Sequence, residues 1–503
     1  MKAISEGPGY SLKDFRILPA YTEQRHKTEN VSLRTPLCRW SDDYIYLNLP
    51  FLSAAMHAVT GVEMATALSS LGGVGVLPLT VSIEEQCRMV RAVKRYRAGF
   101  QTDIVTFSPD QKIRELHNAI EKTSYSVFPV TDSGLFHGKL MGVITDKDFD
   151  PRYDLDLNIK ERMKTGLQVG TEVDDLKDAN RLMIQYGRGF LPIVSREGTL
   201  QAVVFKRDLD RHIRYPEASV DVQKRPIVGA AVSTYPEDRS RIEALEQSEV
   251  DFFVIDASDG FTVFQTETLE WIKRRFTVPV VAGNIVTGEA FRMLAELRAD
   301  AVKIGMGIGS GCTTQEVKAT GRGQAAAIME IAAARDDYYK KTNVYIPLIA
   351  DGGISSPADI AVAIALGADS VMMGNFFARF TESAGDFLTV NGEHVKEYWM
   401  EGSRKAFNLR RYYQSQSLFF EEGIVGYVPY EGSIFDSIPV ARQRLKATLS
   451  TAGAADIQEL HENAVLELQT VSSSAAGRVH DMIVLKHKET VLPSPERISS
   501  KCC

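Results

Sequence analysis

The residues best suited to chemistry close an apolar run: Val302-Lys303-Ile304-Gly305-Met306-Gly307-Ile308-Gly309-Ser310-Gly311-Cys312-Thr313-Thr314. Ala301 to Met306 alternates as a buried strand does, and a glycine at every second position from Gly305 to Gly311 lets the backbone turn tightly or approach a ligand closely. Bare N–H groups on such a loop suit a phosphate, and Ser310 adds a hydroxyl. Cys312 stands at the end of the loop beside two threonines. A thiol displayed there is a candidate nucleophile, because a cysteine kept for packing more often lies inside an apolar run. Taken alone, a Gly-rich loop is more often a plain turn with its cysteine filling space, so the elements that would hold this loop decide its meaning.

Those elements read as strands that each end in Gly, Asp, Ser or Asn. They are Ile45 to Met56, Gly72 to Pro78, Pro226 to Val232, Asp251 to Asp256, Val278 to Asn284, the Cys312 strand, Ile346 to Gly353 and Ala368 to Asn375. Helical patterns such as Gly61 to Leu71 and Ser82 to Tyr96 separate them, which is how a parallel barrel with both faces covered is written; a doubly wound open sheet has a similar texture. In a barrel, chemistry sits where the strands end at their C-terminal face. Asp351-Gly352-Gly353 offers a carboxylate for a sugar diol and glycines that admit a phosphate. Gly374-Asn375 opens a helix whose N–H groups form a positive end.

From about residue 101 to 215 the texture changes to an internal repeat. One copy carries Phe128 to Asp132 and Met141 to Phe149, the other Leu191 to Ser195 and Ala202 to Leu209, each preceded by a helix-like segment, Ile113 to Lys122 and Leu176 to Tyr186. The polar stretch from Asn391 to Tyr430 is long for a loop in a compact barrel, which points to a functional segment.

Composition bounds the answer further. At 503 residues the chain holds a large core plus a second module, and a net charge of −7 gives no support to a nucleic-acid binder. The basic residues Arg88, Arg91, Lys94, Arg95 and Arg97 read as a solvated helix face. Five scattered cysteines and no apolar leader or membrane-length run point to a reducing, cytoplasmic setting. The Cys502-Cys503 tail is no prenylation box. The histidines lack zinc-site spacing, and neither a Walker loop nor a Gly-x-Ser-x-Gly elbow is present.

The order strand, Lys, Gly-x-Gly-x-Gly-Ser-x-Cys-x-Thr resembles the active-site loop of the IMP dehydrogenase/GMP reductase superfamily, and the repeat resembles a pair of cystathionine β-synthase (CBS) motifs. The resemblance implies an α/β fold, a (β/α)8 TIM barrel with an inserted tandem CBS-motif domain. It divides the chain into barrel at 1–100, CBS module at 101–215, the rest of the barrel at 216–485 with a flap at about 391–430, and a flexible tail at 486–503. It also implies NAD-dependent oxidation of IMP to XMP through a covalent thioimidate on Cys312, with Thr314, Arg411 and Tyr412 serving the water that hydrolyses it. The substrate phosphate would be held by Ser310, Gly353 and Gly374 with Tyr398 nearby, the ribose by Asp351 and the purine by Glu422; Met56, Gly352, Met373, Asn375, Met400, Glu401 and Gly402 complete that site. NAD would lie along the barrel mouth at Asp256, Ser258, Asn284, Gly305 and Gly307, since no Rossmann fingerprint accompanies it. A homotetramer and a purine nucleotide on the first CBS copy are further expectations.

The chain departs from the family pattern in two places. Gly311 replaces an aliphatic residue, which should loosen the loop. A potassium ion would be held by the carbonyls of Gly307, Gly309 and Cys312 and by a neighbour's Glu-Gly-Gly, but the matching stretch is Ala476-Gly477-Arg478, which counts against a complete cation site. The alternatives are an NADPH-dependent GMP reductase, which normally lacks the Arg-Tyr pair seen here as Arg411-Tyr412, and a non-catalytic nucleotide sensor. Because the chemistry-bearing residues all lie outside the repeat, a variant lacking residues 101–215 is expected to fold and still oxidise IMP, measured as NADH absorbance. A folded deletion variant without turnover would mean that the repeat takes part in the chemistry.

Overall fold

The computed structural model describes residues 7–96, 100–101, 104–123, 127–173, 176–206, 216–223, 225–409 and 420–477. It divides into two compact units, Met1–Cys87 with Val228–Cys503, and Arg88–Ile227. In the first unit eight parallel strands close a barrel: β1 (Phe51–Ser53), β2 (Val74–Leu77), β3 (Val228–Val232), β4 (Phe252–Ile255), β5 (Val280–Ile285), β6 (Ala301–Ile304), β7 (Leu348–Asp351) and β8 (Ser370–Met373), with β8 pairing β1 and β2 pairing β3. Every residue of β2, β3, β4, β6 and β8 is buried. That is why these strands read as apolar runs: barrel interior and surrounding helices cover both faces. The TIM-barrel expectation is met, with one strand corrected. Ile45 to Met56 is not a single strand. Asp43–Leu47 pairs antiparallel with Thr35–Trp40, and only Phe51–Ser53 joins the barrel. Pro50 stands at the break, where a residue without an N–H and with a fixed φ interrupts a ladder.

The second unit holds the repeat. Val127–Thr131 pairs antiparallel with Leu140–Thr145, and Phe190–Val194 with Leu200–Phe205. Helices Ile113–Thr123 and Leu176–Tyr186 precede them where the sequence placed helices. Each copy has its own apolar cluster, one around Ile113, Leu116 and Phe128, the other around Ala179, Leu191 and Val204. In the first copy Thr145 donates from its N–H and hydroxyl to Asp148, whose other oxygen pairs with Lys164 at 2.5 Å. The basic helix face is not uniformly solvated. Arg88 and Arg91 are exposed, but Lys94 is buried, with its ammonium 2.8 Å from Asp221. Among the described residues no helix is long and apolar enough to cross a membrane.

At the N-terminal ends of β7 and β8 lies a buried polar cluster. Asp369 accepts from the Leu348 N–H, the Tyr345 hydroxyl and Arg335, and the Nε2 of His461 donates to the carbonyl of Ala368 at 3.1 Å. Burial holds the His461 pKa below its ordinary 6.5, with Asp369 opposing in part. The imidazole is therefore neutral in the fold. Above about pH 6.5 neither folded nor unfolded chain protonates it and its contribution is intact; as the pH falls, the unfolded chain takes a proton that the folded one refuses. The thermal midpoint is expected to decline between about pH 6.5 and 5, and His461→Gln, which keeps a donor for Ala368, should make that decline shallower. Calorimetry across the range measures it, and an unchanged slope would assign the acid sensitivity elsewhere.

Candidate active site

The strand ends at the barrel's C-terminal face bring two of the expected residues, Asp256 and Asp351, together on one cation. Lys303 on β6 is 2 % exposed, and its Nζ lies 2.7 Å from Asp351 Oδ2 on β7 and 3.1 Å from Asp256 Oδ1 beyond β4. Burial works against the charge, but the two carboxylates outweigh it and hold the lysine pKa above its ordinary value. Asn284, at the end of β5, donates from Nδ2 to Asp351 Oδ2 at 3.0 Å and to the Gly305 carbonyl at 2.8 Å. Room for the lysine exists because Gly283 carries no side chain; a Cβ there would lie 2.6 Å from the Lys303 carbonyl oxygen and 2.8 Å from its Cβ.

The thiol lies on the loop that leaves β6. Among the described cysteines Cys38 and Cys87 are buried, whereas Cys312 is partly open. Its Sγ is 3.1 Å from Thr314 Oγ1, and that hydroxyl is 3.2 Å from Glu422 Oε2. A hydroxyl has one hydrogen. With that hydrogen directed at the carboxylate, the thiol is left to donate to the threonine oxygen, so thiol, hydroxyl and carboxylate form one directed chain. Lys318 lies 3.4 Å from the other oxygen of Glu422. The loop is stitched to the later part of the expected flap: Cys312 bridges Gly423, and the Ile424 N–H donates to the Gly311 carbonyl at 3.1 Å. Gly311 does not loosen it. The space an aliphatic side chain would take is filled by Met400 and Ile424, both within 3.2 Å of where a Cβ would stand.

The residues expected to hold a phosphate follow β6, β7 and β8, three neighbouring strands. Gly352 and Gly353 have φ of +88° and +71°, a region that suits glycine. A Cβ on Gly374 would meet the Tyr398 hydroxyl at 2.8 Å and Met56 Sδ at 2.9 Å. The Tyr398 hydroxyl lies 3.9 Å from Met56 Sδ; burial pushes its phenol pKa up, and the Ser310 side chain opposes this. The Asn375 side chain faces Arg379 rather than a ligand, its Oδ1 accepting from Nη2 at 2.7 Å, which leaves its backbone N–H as the group on offer. Met373 and Met400 are buried, and the Met373 carbonyl accepts from Ala54. The Gly402 carbonyl accepts from the Glu422 N–H, and Glu401 Oε1 from the His57 N–H at 2.8 Å. Ser258 is exposed just beyond Asp256. Gly307 has a φ of +73°, and the Gly309 carbonyl accepts from the Cys312 N–H. Arg411 and Tyr412 lie outside the described residues.

Sequence reasoning gave no role to Lys303, His57 or Gln324. A charge inside a strand covered on both faces was the available signal for Lys303. His57 follows Met56, and its ring stands 6.0 Å from that of Trp399. The buried Gln324 amide reaches the carbonyls of Ile304 and Asp351. Neither of these two residues carried a spacing signal.

Residues 9–480 match the model of the IMP dehydrogenase / GMP reductase domain. The chain is similar to the inosine-5′-monophosphate dehydrogenase of Tritrichomonas foetus, at 38% identity over 95% of this chain and 97% of that one. The enzyme of the same name from Aquifex aeolicus is 35% identical over 96% of this chain and 97% of the relative. Among solved structures, a GMP reductase from Trypanosoma brucei in complex with guanosine 5′-monophosphate superposes with a TM-score of 0.81 at 27% identity, covering 95% of this chain and 99% of that one. With the barrel, the Gly-rich loop and the thiol in place, the chain belongs to the IMP dehydrogenase / GMP reductase family.

Proposed function

We infer that the chain oxidises IMP to XMP, and the observation that carries this reading is the chain Cys312–Thr314–Glu422 at the rim of the barrel. The thiol proton leaves along Thr314 toward Glu422 as the sulfur bonds to C2 of the hypoxanthine ring. The C2–H bond then breaks, its electron pair leaving as hydride. NAD, when bound, supplies the acceptor for that hydride. Cys312 is left as a thioimidate; water adds at C2, the C–S bond breaks, and thiol and XMP are returned. Thr314 orients that water and Arg411, with Tyr412, acts as its base. Asp351 holds the ribose. Ser310, Gly353 and Gly374 hold the phosphate, and Met56, Tyr398, Met400, Glu401 and Gly402 wall the pocket.

The residues suit a dinucleotide. Asp256 is partly exposed, two residues before the exposed Ser258, and Asn284 Oδ1 is buried with no donor among the described residues. Potassium lacks one expected ligand: Ala476 stands where the resemblance calls for a glutamate. The assembly is a cytoplasmic homotetramer. Its CBS module takes one purine nucleotide, at Thr145 and Asp148, a reading supported by the buried Phe205 that replaces the threonine in the second copy. The GMP reductase reading has support from the solved structures, but curated relatives at 30–38% identity bear the dehydrogenase name and Arg411-Tyr412 is present.

Incubation with IMP and NAD, with GMP and NADPH in parallel, separates the two. Cys312→Ala should abolish both NADH and XMP. Arg411→Ala should release about one equivalent of NADH per site and then stall as the thioimidate, since a base of this kind contributes on the order of 10²–10⁴-fold. Rapid-mixing absorbance and mass spectrometry of the quenched protein measure this; no burst, or full steady-state turnover, would remove Arg411 from the water step. Lys303→Met leaves two carboxylates facing each other without a cation. It is expected to cost about 3 kcal/mol of stability and to weaken IMP binding in calorimetry; unchanged affinity would detach the cation from the ribose site.

A further inference from the structure

The ladder between β6 and β7 ends at the pair Ile304 and Ala350. Two carbonyls stand at that end, those of Ile304 and Asp351, and both accept from the same donor, the side-chain nitrogen of Gln324, at 3.0 and 3.2 Å. Gln324 is 2 % exposed and opens the 19-residue helix Gln324–Thr342. An amide nitrogen carries two hydrogens, and both are committed. The orientation is forced, because the turned amide would set its oxygen against two carbonyl oxygens. Oε1 accordingly faces away, buried and without a partner among the described residues.

The backbones are closest at this point. A Cβ on Gly305 would lie 2.0 Å from the Asp351 carbonyl oxygen and 3.2 Å from Gln324 Nε2. The helix that carries the amide is held from behind: the Ala326 N–H donates to the Tyr10 carbonyl, and a Cβ on Gly323 would fall 2.4 Å from the carbonyl oxygens of Gly9 and Tyr10. A fixed helix start thus delivers one amide to two strand ends. One of those ends leads into the loop of Cys312 and the other carries the Asp351 carboxylate.

We propose that Gln324 is a positioning residue whose amide sets the spacing between the thiol loop and the ribose carboxylate. This rests on the reading of Cys312 and Asp351 given above. Gln324→Glu nearly preserves shape and replaces the donors by a carboxylate that two carbonyls repel; only its protonated form restores one donor. In the folded variant kcat for IMP oxidation is expected to fall by about 10²-fold, the order that a misplacement near 1 Å brings. The rate should recover as the pH is lowered through a range where the wild type is flat, and KM should rise less than kcat falls. A merely structural role would lower the thermal midpoint and leave kcat, KM and the pH profile of the folded enzyme at wild-type values, and that result would overturn the proposal. If Gln324→Glu does not fold, Gln324→Met, which keeps length and loses both donors, carries the same comparison without the pH recovery. A wild type that oxidises no IMP would sink the functional reading alone. Calorimetric affinity for IMP and GMP in wild type and variants then decides the role of Gln324: a loss of about tenfold or more (about 1.4 kcal/mol) supports it, and equal affinity ends it.

Discussion

One buried ammonium organises the mouth of this barrel. Lys303 leaves a strand with no solvent on either side, and a lysine there is tolerable only if carboxylates meet it. They come from β7, the neighbouring strand, and from beyond β4, two strands away. The contact therefore ties three strand ends into one electrostatic unit. Asn284 on the strand between them closes the circuit by donating to Asp351. A carboxylate held this way is fixed in direction, as the ribose role proposed for Asp351 requires. The cost of burying the cation is offset in the geometry that a ligand uses.

The same economy of space runs through the thiol side. Gly283, Gly305 and Gly374 each lie where another group presses against the backbone, whether the Lys303 carbonyl, the Asp351 carbonyl or the Tyr398 hydroxyl. Side chains are missing at these points because functional groups occupy the volume. At Gly311 the logic is different: Met400 and Ile424 reach over from segments far along the chain and fill the gap themselves.

Much of this was legible in the sequence, for a local reason. Strand ends announce themselves by an apolar run followed by Gly or Asp, and Cys312 and Thr314 sit two residues apart, so their meeting needed no knowledge of the fold. Glu422 is 108 residues from Thr314, and only the resemblance pointed to it. The role of Lys303 was hidden although its oddity was visible, because its partners depend on which strands neighbour β6. Gln324 was hidden altogether. A glutamine after a glycine at a helix start looks like a solvated first turn, and the helix start that carries it is held by the N-terminal residues Gly9 and Tyr10, more than three hundred positions away. The break at Pro50 was in plain view as a proline, but the apolar texture on both sides hid the change from hairpin to barrel.

The division between fixed and exchangeable parts follows from these contacts. Thiol, threonine and carboxylate are bound together through Cys312, Thr314 and Glu422, and the backbone contacts of Gly311 and Cys312 join the loop to Gly423 and Ile424 in the later part of the flap. A nucleophile must meet its carbon at one angle, so its loop belongs to the rigid strand ends. The base for the second half of the reaction has the opposite requirement. It must be absent while hydride leaves and present when water attacks, and a group fixed beside the thiol would occupy the space the first step needs. The base proposed for that step, Arg411, lies in sequence before Gly423, the residue that bridges Cys312, so the chain that carries the base leads directly into a strand contact with the thiol loop.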